Sequence, residues 1–263
     1  MLRERVISAA VGVPVIFVLI WFGGNAYMIA VAAGLALAAA EFQHITRDWI
    51  DPVCLLTAAV VAGIAVGARA GGAVWFAWLI AAAIIAPLAA LLVPTKDGHA
   101  IDVLWALGGV TYVGFLGSFI VMLRYIDNDA RSWVYVTVLG VFATDTSAYF
   151  VGRRFGKHKL APRISPKKTI EGLIGGYVGG LATVIVLAYV FDLGVKPLQI
   201  TSLGVLLPTV AAFGDLAESA VKRAAGIKDT SEIIPGHGGV LDRLDSLLPA
   251  FALVYLFTQL VVY

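Results

Sequence analysis

The sequence predicts an all-α fold: a polytopic integral membrane helical bundle of about nine transmembrane helices. Of 263 residues, 60% are hydrophobic and only 14% are charged, whereas a soluble domain is roughly half apolar and a quarter charged. The mean hydropathy is +0.91. The apolar residues also fall in continuous runs close to the roughly 20 residues that a helix needs to cross a bilayer. They do not alternate as the strands of a barrel would.

The runs lie at 6–22, 25–41, 52–68, 73–93, 103–123, 132–151, 172–191, 200–220 and 244–262. Arg3 and Arg5 precede the first, which resembles a signal sequence. No convincing cleavage site follows, so it reads as an uncleaved anchor. The second and third runs are diluted by Gly and Ala. In the seventh, Gly175 and Gly179, with Gly176 and Gly180, place small residues four apart, a spacing that permits close helix packing. Trp21, Trp49 and Trp133 stand near span ends and read as an aromatic belt.

Charge tests the count. With the N-terminus in the cytoplasm and sides assigned alternately, the cytoplasmic side holds fifteen Lys and Arg. The far side holds four: Arg69, Arg124, Arg131 and Lys196. This is a strong positive-inside bias. Residues 1–102, with about four spans, read as an N-terminal scaffold. Residues 103–263, with about five, read as a catalytic region whose polar site faces the cytoplasm. A net charge of +2 gives no case for nucleic acid, and Cys54 alone cannot form an internal disulfide.

Three places break the apolar pattern. In "AAFGDLAESAVKRAAG", Asp215, Ser219 and Lys222 stand at i, i+4 and i+7 with Glu218 at i+3, so one helical face carries a polar stripe. A carboxylate within a span costs about 2.5–3.5 kcal/mol on insertion scales, so it needs a base, a cavity or a metal. A plain structural pair, Asp215 or Glu218 with Lys222, would satisfy the same pattern. In "PGHGGVLDRLDS", Asp242 and Asp245 are three apart and share a helix side. Close carboxylates repel unless a cation lies between them, and Mg²⁺ takes such oxygens together with substrate phosphates. The Gly-rich turn can present N–H groups to an anion; acidic residues favouring the helix dipole are the plainer explanation.

The third place is the loop 152–172, "GRRFGKHKLAPRISPKKTIEG", which has seven Lys and Arg and no acid before Glu171. It suits a polyanion near the leaflet, although topology alone also favours a basic loop. Asp145 lies inside the sixth run. An intramembrane Asp is a functional candidate by default, and hydrogen bonding to a neighbouring helix would also account for it. His44, His99, Glu41 and Asp102 read as ordinary solvated loop or interface groups.

The run from Ser219 to Asp245 resembles the signature of the phosphatidate cytidylyltransferase (CDP-diacylglycerol synthase) family. The matching residues are Ser219, Lys222, Arg223, Lys228, Asp229, Pro235, His237, Gly238, Gly239, Asp242, Arg243 and Asp245. The "SPKKTIEG" segment and the "FGD" that ends in Asp215 are also similar to bacterial members. The resemblance implies a multi-pass protein of the cytoplasmic (inner) membrane that transfers CMP from CTP to phosphatidic acid. It also implies Mg²⁺ dependence, a two-cation centre whose second ion is a cation such as K⁺, and a homodimer. On that reading Asp215, Asp242 and Asp245 hold Mg²⁺, and Asp145 stands on the second-cation side. Lys222 and Arg223 bind phosphate, and His237, Gly238 and Gly239 line the pyrophosphate pocket. Lys167 and Lys168 clamp a polyanion, and Ser219 and Arg243 complete the substrate-binding set.

Two rivals stand beside it. Intramembrane Asp145, Asp215 and Glu218 with Gly-rich helices would suit a secondary transporter, although no internal repeat is evident. A CTP-dependent polyprenol kinase would use similar chemistry.

Overall fold

The computed structural model describes residues 2–93, 99–126, 129–234, 236 and 238–262, without the side chains of residues 2–7 and 9. Each of the nine apolar runs is helical: α1 (Leu2–Phe22), α2 (Gly24–His44), α3 (Pro52–Ala70), α4 (Gly72–Leu92), α5 (His99–Gly108) continuing into α6 (Leu116–Arg124), α7 (Ala130–Phe155), α8 (Ile170–Val190), α9 (Pro197–Ala224), and α10 (Leu241–Leu244) followed by α11 (Leu247–Phe257). Among the described residues, eight of these runs are long and apolar enough to cross a membrane; the described apolar part of α1 is the shorter Ala10–Phe22. The protein is a polytopic helical membrane protein. Between α5 and α6 the helix widens into π geometry over Gly109–Phe115, so the fifth run is one continuous rod, His99–Arg124.

The chain divides into two compact units. The first comprises Met1–Tyr125 and Ala225–Leu244, the second Ile126–Ala224 and Asp245–Tyr263.

In the first unit, α3, α4 and α5 share a core of small and branched residues, including Val60, Ile64, Ala82, Ala86 and Ala106, all buried. A Cβ at Gly63 or Gly67 would strike Trp78, so these glycines let α4 lie against α3. Asp51 caps α3 by accepting from the Val53 N–H at 2.8 Å, with Pro52 at the first helical position. The same carboxylate accepts from Arg47 at 3.1 Å. Arg47 also donates to the Val93 carbonyl at 2.9 Å and pairs with Asp102 at 3.1 Å. Asp102 is therefore not a solvated group: it is 1% exposed and neutralised by the buried Arg47. His99 is exposed, and His44 stacks on Trp49.

In the second unit, α8 packs along α7 through glycines. A Cβ on Gly175 would come within 2.5 Å of Val151, and one on Gly179 would meet Ser147. Gly180 faces both Thr144 and Pro208, so α7, α8 and α9 meet there without side chains on α8. The small residues spaced four apart are a packing face, as their spacing suggests. Trp133 departs from the aromatic-belt reading: it is 1% exposed, inside this unit.

Gly175→Leu is expected to destabilise the protein by about 1–3 kcal/mol through overpacking. Gly34→Ala, with open space around the added Cβ, is expected to leave stability unchanged or slightly raised. Thermal unfolding of the two variants in detergent checks both.

Candidate active site

The second unit gathers acids and bases where α9 passes the start of the last span. The polar stripe of α9 is real. Ser219 donates to Asp215 Oδ1 at 3.2 Å, and Lys222 pairs with Glu218 Oε2 at 3.2 Å. Glu218 and Lys222 are both buried, whereas Phe213 on another face of the helix is 68% exposed. Asp215 and Glu218 both lie close enough to Asp245 to act on its charge. Gly214 makes this approach possible: a Cβ there would strike the Asp245 carbonyl oxygen and come within 2.7 Å of Pro249. The "FGD" glycine is thus a contact point that sets Asp215 beside the chain at Asp245.

The basic loop delivers a lysine to the same place. Residues 152–155 end α7, and the rest forms an antiparallel hairpin of β1 (Lys159–Ala161) and β2 (Ser165–Thr169). Glu171 braces its base, accepting from the Lys157 N–H at 3.0 Å and the His158 N–H at 3.2 Å, with His158 Nδ1 2.6 Å away. Thr169 caps α8 through the Gly172 N–H. Thus anchored, β2 places Lys168 Nζ 2.6 Å from Asp215 Oδ2. Lys167 is exposed. Arg223 is exposed at the end of α9, where its Nε donates to the Ile164 carbonyl at 3.4 Å.

The first unit holds the glycine turn and Asp242. Three donors converge on Asp242 Oδ2: the Gly239 N–H at 2.8 Å, and the Thr230 N–H and hydroxyl, each at 3.1 Å. Gly238 has φ +83°, and a Cβ there would lie 2.7 Å from Asp242 Oδ2, so only glycine suits that position. The N–H groups at the start of α10 do bind an anion, but it is the protein's own. The Val240 and Leu241 N–H groups donate to Glu41 at 2.9 and 2.7 Å. Glu41 is fully buried and not a solvated group. It is also the functional candidate that a span boundary drawn at residue 41 hides, since an acid in the last turn of a span merits the scrutiny given to Asp145.

Asp145 is on an exposed face of α7 with Thr146, Tyr149 and Phe150. Arg243 is exposed on α10, and Lys228 pairs loosely with its neighbour Asp229 at 3.8 Å. His237 and Pro235 lie outside the described residues.

Comparison with known proteins identifies the family. Residues 3–261 match the family described as "Cytidylyltransferase family". The chain belongs to this family. Among curated relatives, the phosphatidate cytidylyltransferase of Brucella abortus biovar 1 (strain 9-941) is 35% identical, with 97% of this chain and 93% of the relative covered. Those of Mycobacterium bovis (strain ATCC BAA-935 / AF2122/97) and Bacillus subtilis (strain 168) are 42% and 37% identical over 60% and 55% of this chain, and over 51% and 54% of their own lengths. The cytidylyltransferase match therefore extends through the N-terminal helices as well as the signature.

Among the described residues no three His, Cys, Asp or Glu side chains form a ready-made metal cage. Mg²⁺ seldom uses one; it takes one or two carboxylates and fills its sphere with water and phosphate oxygens. Asp215 and Asp245 fit that donor set, and the ammonium of Lys168 on Asp215 shows where positive charge is drawn.

Because Glu218 and Lys222 are buried together, removing one leaves the other uncompensated. Glu218→Gln or Lys222→Met alone is expected to cost ~3–5 kcal/mol, and the double variant less than the sum. A double-mutant cycle on unfolding in detergent measures it.

Proposed function

We propose that the protein transfers CMP from CTP to phosphatidic acid, giving CDP-diacylglycerol and pyrophosphate in phospholipid synthesis. We place the reaction at the cytoplasmic face of the inner membrane, with the N-terminus cytoplasmic and the chain in a homodimer. The observation that carries the reading is end-to-end similarity to a relative named for this reaction. The acid and lysine group around Asp215 supports it.

A phosphate oxygen of phosphatidate attacks the α-phosphorus of CTP. The bond from that phosphorus to the β-bridging oxygen breaks, and its electrons leave with pyrophosphate. The nucleophile is already an anion in the lipid, so no protein nucleophile is required. Both substrates are polyanions, and the protein's contribution is positioning and charge neutralisation.

Asp215 and Asp245 are the carboxylates we assign to Mg²⁺, with Asp242 as the signature's further acid. We keep Asp145 for a second cation such as K⁺. When bound, Mg²⁺ would neutralise charge on the transferring phosphoryl group. Lys168 turns from Asp215 to the triphosphate, since an ammonium between one carboxylate and a polyphosphate follows the larger charge. Lys167 and Arg223, both exposed, collect the incoming anion; the planar guanidinium suits bidentate phosphate contact. Lys222 keeps Glu218 neutralised inside the helix pair. Ser219 holds Asp215 in its rotamer. His237, Gly238 and Arg243 are assigned to the pyrophosphate side.

The test follows labelled cytidylate from CTP into lipid with purified protein in detergent. Phosphatidate is expected to yield CDP-diacylglycerol and one pyrophosphate per turnover, and polyprenol to yield nothing. Asp215→Asn and Asp245→Asn are expected to lower turnover ~100-fold or more while the protein stays folded. Near wild-type turnover by either across a Mg²⁺ titration overturns the metal assignment. A labelled polyprenol phosphate, or CTP-independent solute counterflow in proteoliposomes, overturns the reaction.

A further inference from the structure

Glu41 makes contacts that a scaffold helix does not need. It sits in the last turn of α2, fully buried, some 190 residues before the segment it binds. Its Oε1 accepts from the Ser231 hydroxyl at 2.8 Å and the Val240 N–H at 2.9 Å. Its Oε2 accepts from the Leu241 N–H at 2.7 Å and faces the Thr230 hydroxyl at 3.4 Å. One carboxylate thereby ties both ends of the loop that precedes α10. The tie reaches Asp242 through the turn: the Gly239 N–H, next in the chain to the Val240 N–H that Glu41 holds, donates to Asp242 Oδ2 at 2.8 Å, and the Thr230 side chain packed between the two acids gives its one hydroxyl proton to the same oxygen at 3.1 Å. Gly239 leaves room for it: a Cβ there would strike Thr230 and come within 2.5 Å of Glu41 Oε2. Every group named belongs to the first unit.

We propose that Glu41 is a positioning residue for the reaction, holding the signature loop and, through the Gly239–Leu241 turn and the Thr230 side chain packed beside it, the orientation of the Asp242 carboxylate. It touches no substrate. A glutamine cannot replace it, because the two backbone N–H groups approach different oxygens and glutamine has only one acceptor. This inference rests on the cytidylyltransferase reading for the meaning of turnover, but not for the anchoring itself.

Two measurements separate these. In hydrogen–deuterium exchange, peptides spanning Val240 and Leu241 are expected to be protected in the wild type and to lose protection in Glu41→Gln. In the transfer assay, Glu41→Gln is expected to lose ~100-fold in kcat, with KM for CTP and phosphatidate within ~3-fold of wild type, as for a misplaced rather than missing contact. Glu41→Asp is expected to restore part of kcat. Thr230→Val keeps the backbone and removes only the hydroxyl link; it is expected to lower kcat ~10-fold, and it carries the test should Glu41→Gln fail to fold. Asp102→Asn, which breaks the buried pair with Arg47 in the same unit, is the control: it is expected to lower Tm with kcat of the folded fraction unchanged. Unchanged exchange in Glu41→Gln, or unchanged kcat in both Glu41→Gln and Thr230→Val, overturns the proposal, as does an equal fall of kcat in Asp102→Asn. A wild type that transfers nothing while the exchange difference stands overturns the reaction and not the anchoring.

Discussion

The structure is governed by the cost of leaving a charge or backbone group unmet where no water is at hand. Among the described residues, each acid or base buried among the helices meets the demand with a partner from its own unit. Arg47 is shared by Asp51, Asp102 and the Val93 carbonyl. Glu218 is paired one helical turn on with Lys222. Glu41 is solvated by hydroxyl and amide donors instead of a base. These three solutions differ in chemistry, and each leaves a different structural trace. The arginine joins the ends of several helices, the lysine stays within one helix, and the glutamate gathers a loop.

Glycine makes this constraint workable. Bringing polar groups within hydrogen-bonding distance needs backbones closer than large side chains permit. Gly214 lets α9 reach the chain at Asp245, Gly172 and Gly176 let α8 lie on α7, and Gly239 opens the space that Glu41 and Thr230 fill. In the third run the diluting glycines Gly63 and Gly67 likewise stand where α4 touches α3, whereas Gly34 in the second has open space around it.

The helices and their order were legible in the sequence, because a continuous apolar run of about 20 residues has one stable form in lipid. The stripe on α9 was legible for the same reason: helical spacing alone puts Asp215, Glu218, Ser219 and Lys222 on one side. The hairpin at Lys159–Thr169 was not, since its strands are short, rich in lysine and carry no alternating apolar pattern. Glu41 and Asp102 were not, because burial of a charge near a span end is decided by a partner distant in sequence. The partner of Asp242 was half legible. A glycine turn before a helix announces free N–H groups, but not that a glutamate from α2 and the neighbouring Asp242 would be the anions to take them.

That difference separates the acids into two kinds. Asp242 receives three donors on one oxygen, two of them backbone N–H groups that cannot leave without unfolding the turn. Such a carboxylate is held in a single orientation. Asp215 instead faces a hydroxyl and a lysine ammonium on a half-exposed side chain, and those partners can be exchanged for others at little conformational cost. An acid of the first kind defines a position, and one of the second kind can change partners. The reaction we propose binds two polyanions and releases a third, and each property has a use there: a carboxylate free to turn gives no geometry, and one held by backbone N–H groups gives no exchange.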